Sequence, residues 1–128
     1  MKKLISLASI LLATGFISVQ AQSTVIFNVN LQPNLEDSAF VPGRDIIQVT
    51  GNIYPLSSRP VQLTDTAPTD SIYTAEVRFA SSYVGDQLEY NFEIVKPEET
   101  ETERMPRKLN LRATEMELPP LYFDAFAW

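Results

Sequence analysis

The chain has 128 residues, with 16 acidic and 10 basic side chains, a formal net charge of −6, no cysteine and no histidine. The absence of histidine and cysteine excludes Ser-His-Asp and Cys-His nucleophile arrangements and the usual zinc sites. Without cysteine no disulfide can support the fold, and the acidic balance disfavours nucleic acid and anionic membrane surfaces as partners. The length suits one domain with a single core.

The first 21 residues have the pattern of a secretory signal peptide. Lys2 and Lys3 form a positive start, an apolar stretch follows, and Val19-Gln20-Ala21 places small residues at the positions that the processing peptidase recognises. Cleavage is therefore expected after Ala21, which leaves 107 of the 128 residues and takes the net charge from −6 to −8 because both lysines are lost. The apolar stretch is shorter than the about 20 residues of a membrane-spanning helix, and no cysteine follows it to carry a lipid anchor. We expect a periplasmic or extracellular protein without a membrane span after cleavage.

Apolar and polar residues alternate with a period of two along most of the remaining chain. This period predicts strands with one buried and one solvated face, and turn residues such as Pro42-Gly43 and Gly85-Asp86 separate them. No segment after the signal peptide has a helical period with caps. The predicted strands are Val25 to Leu31, Ile46 to Thr50, Val61 to Leu63, Tyr73 to Phe79, Leu88 to Ile94, Lys108 to Arg112 and Leu121 to Asp124.

About seven short strands at this spacing predict an all-β domain, an immunoglobulin-like antiparallel β-sandwich that spans residues 22–128. One stretch, Lys96 to Arg107, contains four glutamates between two prolines and almost no apolar residues. We predict that it forms a long solvated loop between two strands of the sandwich.

Six segments have the order and character of the strands and turns of one known kind of module. They are Thr24 to Leu31, Asp45 to Asn52, Leu63 to Asp65, Asp70 to Ala75, Leu88 to Ile94 and Leu118 to Asp124. In these segments the chain resembles the starch-binding-domain-like modules (carbohydrate-binding family 20 type) of exported bacterial proteins. The resemblance implies a β-sandwich that binds a polysaccharide or oligosaccharide without a cofactor and without catalysis.

The sugar-binding positions of that family are kept only in part. Leu56 and Thr102 stand where the family has stacking tryptophans, whereas Glu103 and Arg107 stand at its glutamate and arginine positions. The resemblance therefore implies that Glu103 and Arg107 hydrogen-bond sugar hydroxyls; the alternative is one surface ion pair in a solvated loop, which contributes little to stability. Tyr54 lies in a predicted loop and is a candidate replacement platform, because tyrosine combines an apolar ring with a polar tip. Its alternative role is packing against a neighbouring strand.

The remaining acidic residues do not predict a metal site or a catalytic site. Asp65 and Asp70 flank a turn, but two acids without a glycine fall short of the six to eight oxygens that calcium takes. The glutamates of the acidic stretch lack the fixed separation and the apolar surroundings that a glycosidase carboxylate pair needs. We predict no catalytic residue and no bound metal.

The last residues are rich in aromatic side chains, and the chain ends on its one tryptophan. Phe126 and Trp128 are expected either to pack on the sandwich or to dock on a partner protein. The second outcome belongs to an alternative function, in which the domain is a structural or protein-interaction module that has lost the sugar site.

Overall fold

The computed structural model describes residues 22–65 and 70–126 of the chain. The predicted signal peptide, residues 1–21, and the candidate docking residue Trp128 lie outside this part. Within it, no helix combines the length and the apolar character needed to cross a membrane.

The described residues form nine strands. They are β1 (Ser23–Asn30), β2 (Ile46–Gly51), β3 (Val61–Leu63), β4 (Ile72–Phe79), β5 (Gln87–Val95), β6 (Thr100–Thr102), β7 (Arg107–Asn110), β8 (Glu115–Glu117) and β9 (Leu121–Tyr122). Each of the seven predicted strands is present, with its ends within two residues of the predicted ones.

The strands lie in two sheets, so the prediction of an all-β sandwich is confirmed. One sheet has the order β4-β1-β8, with β9 also paired to β1; the other has the order β3-β2-β5-β6, with β7 also paired to β5. The pairs are antiparallel except for β1 with β8 and β1 with β9, which are parallel. The first and the fifth strand are therefore the centre of each sheet.

The alternation in the sequence gives each long strand a core side and a solvent side. The two central strands meet through aromatic rings: Phe27 of β1 packs edge-on against Tyr90 and Phe92 of β5, with ring centroids 5.1 and 6.4 Å apart. Edge-to-face contacts of this kind add about 0.5–1.5 kcal/mol beyond the burial of apolar area. Packing of large apolar side chains therefore stabilises this domain, which has no disulfide.

Residues 96–107 are mostly exposed, as predicted, but they do not form one long loop. The chain turns back after β5, Lys96 N–H donates to the carbonyl of Glu99 over 2.8 Å, and β6 pairs with β5 from Val95–Thr100 to Glu93–Thr102. The next residue, Glu103, is only 4% exposed. Its burial is tolerated because its charge is matched by donors from three parts of the chain, which the composition of the stretch does not reveal.

The C-terminal part also differs from the single antiparallel strand that its pattern predicts. Two short strands, β8 and β9, pair in parallel with β1, and Pro119-Pro120 lies between them. Proline has no N–H to donate to a neighbouring strand, so the ladder is interrupted there. Asp124, with φ of 57°, adopts the left-handed conformation just after β9.

One short helix, α1 (Gln32–Glu36), follows β1. Its start is fixed by the Asn30 Oδ1 atom, which accepts the N–H of Gln32 over 2.9 Å, and by Pro33 in the first turn, where the missing N–H is harmless. None of its residues is buried. Only Leu35, which is partly buried, packs against the core, and a single apolar contact in five residues leaves no helical period in the sequence.

Candidate functional site

Leu56 anchors the loop that carries Tyr54 to the core. Leu56 is 1% exposed and belongs to the core, whereas Tyr54 is 61% exposed. The close seat of Leu56 requires a glycine in β2, because a Cβ atom on Gly51 would lie 3.2 Å from Leu56 Cδ1 and 3.1 Å from the carbonyl oxygen of Glu89. Leu56 therefore holds the loop to the core, and Tyr54, two residues earlier, is left in solvent.

Beside this loop, the outer face of the five-stranded sheet has a shallow depression of about 300 Å³. We call it the sheet-face depression. Four of its six lining residues have polar side chains, and the lining comprises Thr50, Gly51, Asn52, Glu89, Asn91 and Pro106.

The walls of the sheet-face depression are held by hydrogen bonds between strands and loops. Asn52 N–H donates to the carbonyl of Glu89 over 3.1 Å, and the Asn52 side chain accepts the N–H of Glu89 over 2.8 Å. On the other side, the Asn91 side-chain amide donates to the carbonyl of Met105 over 2.8 Å. Hydroxyl, amide and carboxylate groups are thus presented on a fixed backbone, a set that can both donate and accept hydrogen bonds.

Glu103 is not available to solvent, since both of its carboxylate oxygens are hydrogen-bonded within the protein. Oε1 accepts the N–H of Phe92 over 3.0 Å and Nε of Arg107 over 2.9 Å. Oε2 accepts Nη2 of Arg107 over 2.6 Å and the N–H of Asp124 over 2.7 Å. The side chain of Glu103 has no exposed surface and that of Arg107 is 10% exposed. The two residues form a buried bidentate ion pair, not a surface pair.

Arg107 extends this connection to the C-terminal segment. Its guanidinium lies 5.4 Å from the ring centroid of Phe92 and 4.8 Å from that of Phe126, and Nη2 donates to the carbonyl of Tyr122 over 3.2 Å. Burial opposes the charge on Arg107, but its hydrogen bonds with Glu103 and the charge of that carboxylate hold the Arg107 pKa above its usual value. We call Glu103 and Arg107 the buried tie, because they connect β5, the start of β7 and the residues after β9.

The structure thus places the predicted site residues in two groups. Glu103, Arg107 and Phe126 meet in and around the buried tie, whereas Tyr54 lies on the loop next to the sheet-face depression. The turn between Glu103 and Arg107 supplies Pro106 to the lining of that depression. The buried tie therefore fixes one wall of the depression without presenting its own charges to it.

Apolar side chains near the C-terminal segment are partly open to solvent. Met105, Leu121 and Tyr122 are each 50% exposed. Met105 lies in the same turn as Arg104, whose N–H and Nε both donate to the carboxylate of Asp124 over 2.9 Å. Exposed apolar side chains therefore lie on both sides of the contact between Arg104 and Asp124. Met105 is next to Arg104 in the chain, and Leu121 and Tyr122 come shortly before Asp124.

The turn at Asp65 and Asp70 has an ordinary structural role. The Asp65 carboxylate accepts the backbone N–H of Ser71 over 3.1 Å, and the Asp70 carboxylate accepts that of Ile72 over 3.0 Å. Side chains of this kind favour turns because they satisfy nearby backbone donors. Among residues 22–65 and 70–126, no group of three or more acidic side chains could hold a metal ion.

The sequence reasoning missed the polar residues of the sheet-face depression. Glu89 and Asn91 occupy alternate positions of β5, so they were interpreted only as the solvated face of a strand. The sequence did contain a signal for them. Asn52 follows Gly51 at the end of β2, and Asn91 lies in β5, the strand that pairs with β2. Pairing of those strands would have brought Asn52 and Asn91 to the same end of the sheet.

Compared with known proteins, the chain matches no family model and no curated protein sequence.

Proposed function

We propose that this chain is an exported, noncatalytic carbohydrate-binding module whose site is the sheet-face depression together with Tyr54. The observation that carries the proposal is the exposed tyrosine, at 61%, on the loop that begins at Asn52, a lining residue of the shallow sheet-face depression. A sugar presents hydroxyl groups around an apolar ring face. The depression offers amide, hydroxyl and carboxylate partners for the hydroxyls, and the Tyr54 ring offers an amphipathic surface for the ring face.

The resemblance to starch-binding-like modules supports the same class of ligand, with α-glucans as the first candidates. In this proposal the buried tie has a positioning role: Glu103 and Arg107 hold the turn that carries Pro106, and they do not contact the sugar. Asn91 and Asn52 take over the polar contacts that the resemblance had implied for the buried tie. Export follows from the signal-peptide pattern of residues 1–21, and it would bring the module to polysaccharide in the periplasm or outside the cell.

The proposal is tested by measuring retention of the chain from Gln22 to Trp128, which includes every strand of the sandwich, on gels containing starch, other α-glucans or unrelated polysaccharides. We expect saturable retention on one glycan. Tyr54→Ala should weaken it at least about tenfold, the usual effect of removing a central aromatic contact. Tyr122→Ala is the matched control, because it removes another exposed tyrosine outside the depression. Equal loss in the two variants would contradict the assignment of the site.

A second candidate function is a protein-interaction module, as the exposed apolar surface around Met105, Leu121 and Tyr122 favours. Several exposed apolar side chains near one segment are a feature that protein contacts can use. The same experiment separates the two functions. Retention that depends on Tyr54 supports the carbohydrate module, whereas no retention on any glycan favours the interaction module.

A further inference from the structure

A second concavity lies at one end of the sandwich and shares no lining residue with the sheet-face depression. It has a volume of about 290 Å³ and lies where the start of β2 and the end of β3 face the start of β4. We call it the end cavity. Its apolar walls include the buried side chains of Phe40, Ile47 and Leu63. The ring of Tyr73 meets that of Phe40 edge-on, with centroids 5.4 Å apart.

The charges that line the end cavity are two carboxylates, and no basic residue is among its lining residues. Asp45 is already neutralised: Arg44 donates to both of its oxygens over 2.8 and 2.9 Å, and this hydrogen bonding lowers the Asp45 pKa. It also accepts the N–H of Val41 over 2.9 Å. Asp45 therefore has no charge to offer to a ligand.

The other carboxylate that lines the end cavity, Asp65, has no ion-pair partner among the described residues. Its hydrogen bonds come from backbone N–H groups. Asp65 is also close enough to act on Tyr73, whose pKa is raised first by burial and then by this negative charge. An apolar cavity with two aromatic rings thus carries one uncompensated negative charge.

We propose that the end cavity binds the arginine or lysine side chain of a basic partner polypeptide. The aliphatic stem of such a side chain packs on apolar surface while its head stays polar. The head would lie between the carboxylate of Asp65 and the rings of Tyr73 and Phe40, where charge pairing and cation–π contacts both favour a cation.

A polypeptide is favoured as the source of this cation for two reasons. β3 is the last strand of its sheet in the order β3-β2-β5-β6, and an extended partner segment can lie along such an edge. The net charge of −8 expected after signal removal also attracts a basic partner and speeds its encounter. This site is independent of the proposed carbohydrate site, so each can fail without the other.

The test is an amide NMR titration of the chain from Gln22 to Trp128 with a blocked pentapeptide that has one arginine between glycines. The control peptide has citrulline, which keeps the shape of arginine without its charge. We expect the arginine peptide to shift the resonances of Leu63, Thr64 and Tyr73, and the citrulline peptide to bind at least about fivefold more weakly.

Asp65→Asn is the informative variant, because asparagine keeps an oxygen that can accept the backbone N–H groups of the turn. It should weaken binding of the arginine peptide about fivefold or more. Asp70→Asn, in the same turn but outside the lining, should change binding by less than about twofold. The proposal is overturned if neither peptide shifts these resonances, if citrulline binds as well as arginine, or if both variants weaken binding equally, which would indicate attraction to the acidic surface in general.

Discussion

Glu103 is the residue whose environment departs most from its sequence context. It lies among exposed glutamates, yet its carboxylate is fully buried and accepts four hydrogen bonds from Phe92, Arg107 and Asp124. A buried ion pair of this kind is not by itself a source of stability. Removing one of its partners is costly, however, because the other charge is then left buried without compensation.

The first prediction concerns this pair. Glu103→Gln keeps the size of the side chain but leaves the Arg107 guanidinium without its counter-charge. We expect a loss of about 3–5 kcal/mol in the free energy of unfolding, measured by urea denaturation. Glu101→Gln is the control, because it removes an exposed glutamate paired with Lys96 over 3.7 Å, and it should cost less than about 1 kcal/mol. Equal effects of the two variants would mean that the buried tie does not hold the C-terminal segment.

The second prediction concerns Asp45 and acid. Hydrogen bonding to Arg44, opposed by desolvation, brings the Asp45 pKa below its ordinary value of 3.8. A carboxylate with a lowered pKa in the folded state contributes stability that is fully present above pH 3.8 and is lost as the pH falls through the folded-state pKa. Asp45→Asn should therefore be less stable than the unaltered chain at pH 7, and its stability should fall less steeply below pH 4. Urea midpoints across this pH range provide the measurement, with Asp37→Asn as an exposed control that keeps the slope. An unchanged slope in Asp45→Asn would contradict this account.

At the level of the elements, the loop after β2 carries a structural residue, Leu56, two positions from the proposed binding residue, Tyr54. Leu56 fills core space next to Gly51, whereas Tyr54 projects from the same loop into solvent. The peptide bond between the exposed Tyr54 and Pro55, the residue before the buried Leu56, is cis.

The third prediction uses this separation. Leu56→Ala removes a side chain that is 1% exposed and should lower the free energy of unfolding by about 2–5 kcal/mol. Tyr54→Ala, two residues away, should change it by no more than about 0.5 kcal/mol, as is usual for an exposed position. Thermal or urea unfolding of both variants checks the pair. A large loss in Tyr54→Ala would indicate that the tyrosine packs on the domain and is not free to act as a platform.

The sequence predicted best those strands whose alternate residues pack in the core. Such packing requires apolar and polar residues to alternate along the strand, and this alternation is visible in the sequence. β5 alternates between core residues such as Phe92 and solvated residues such as Asn91, and it was found with nearly correct ends. β6 was missed because its three residues are all exposed and polar, so pairing with β5 alone holds it in place. The buried tie was missed for a related reason: the donors to Glu103 come from residues 11 to 21 positions away as well as from Arg107, and only the folded chain brings them together.

At the level of the whole molecule, the two concavities that we propose as sites differ in their chemistry. The sheet-face depression is shallow and carries amide, hydroxyl and carboxylate groups, and the loop that begins at Asn52, one of its lining residues, also carries the exposed Tyr54. The end cavity has apolar walls and one uncompensated carboxylate. The C-terminal segment closes the edge of β1 and, through Arg107, is connected to the turn that forms one wall of the depression. Core packing and backbone pairing set the fold, whereas the candidate sites depend on how a few loop residues are held.

The most direct test of the central claim is to map the bound glycan by amide NMR, using whichever polysaccharide fragment retains the chain. The account predicts that resonances of Thr50, Asn52 and Asn91 shift during the titration and that Tyr54→Ala needs at least about tenfold more glycan to reach the same shifts. Shifts confined to residues of the end cavity, such as Leu63 and Tyr73, or no shifts with any of the glycans, would contradict it.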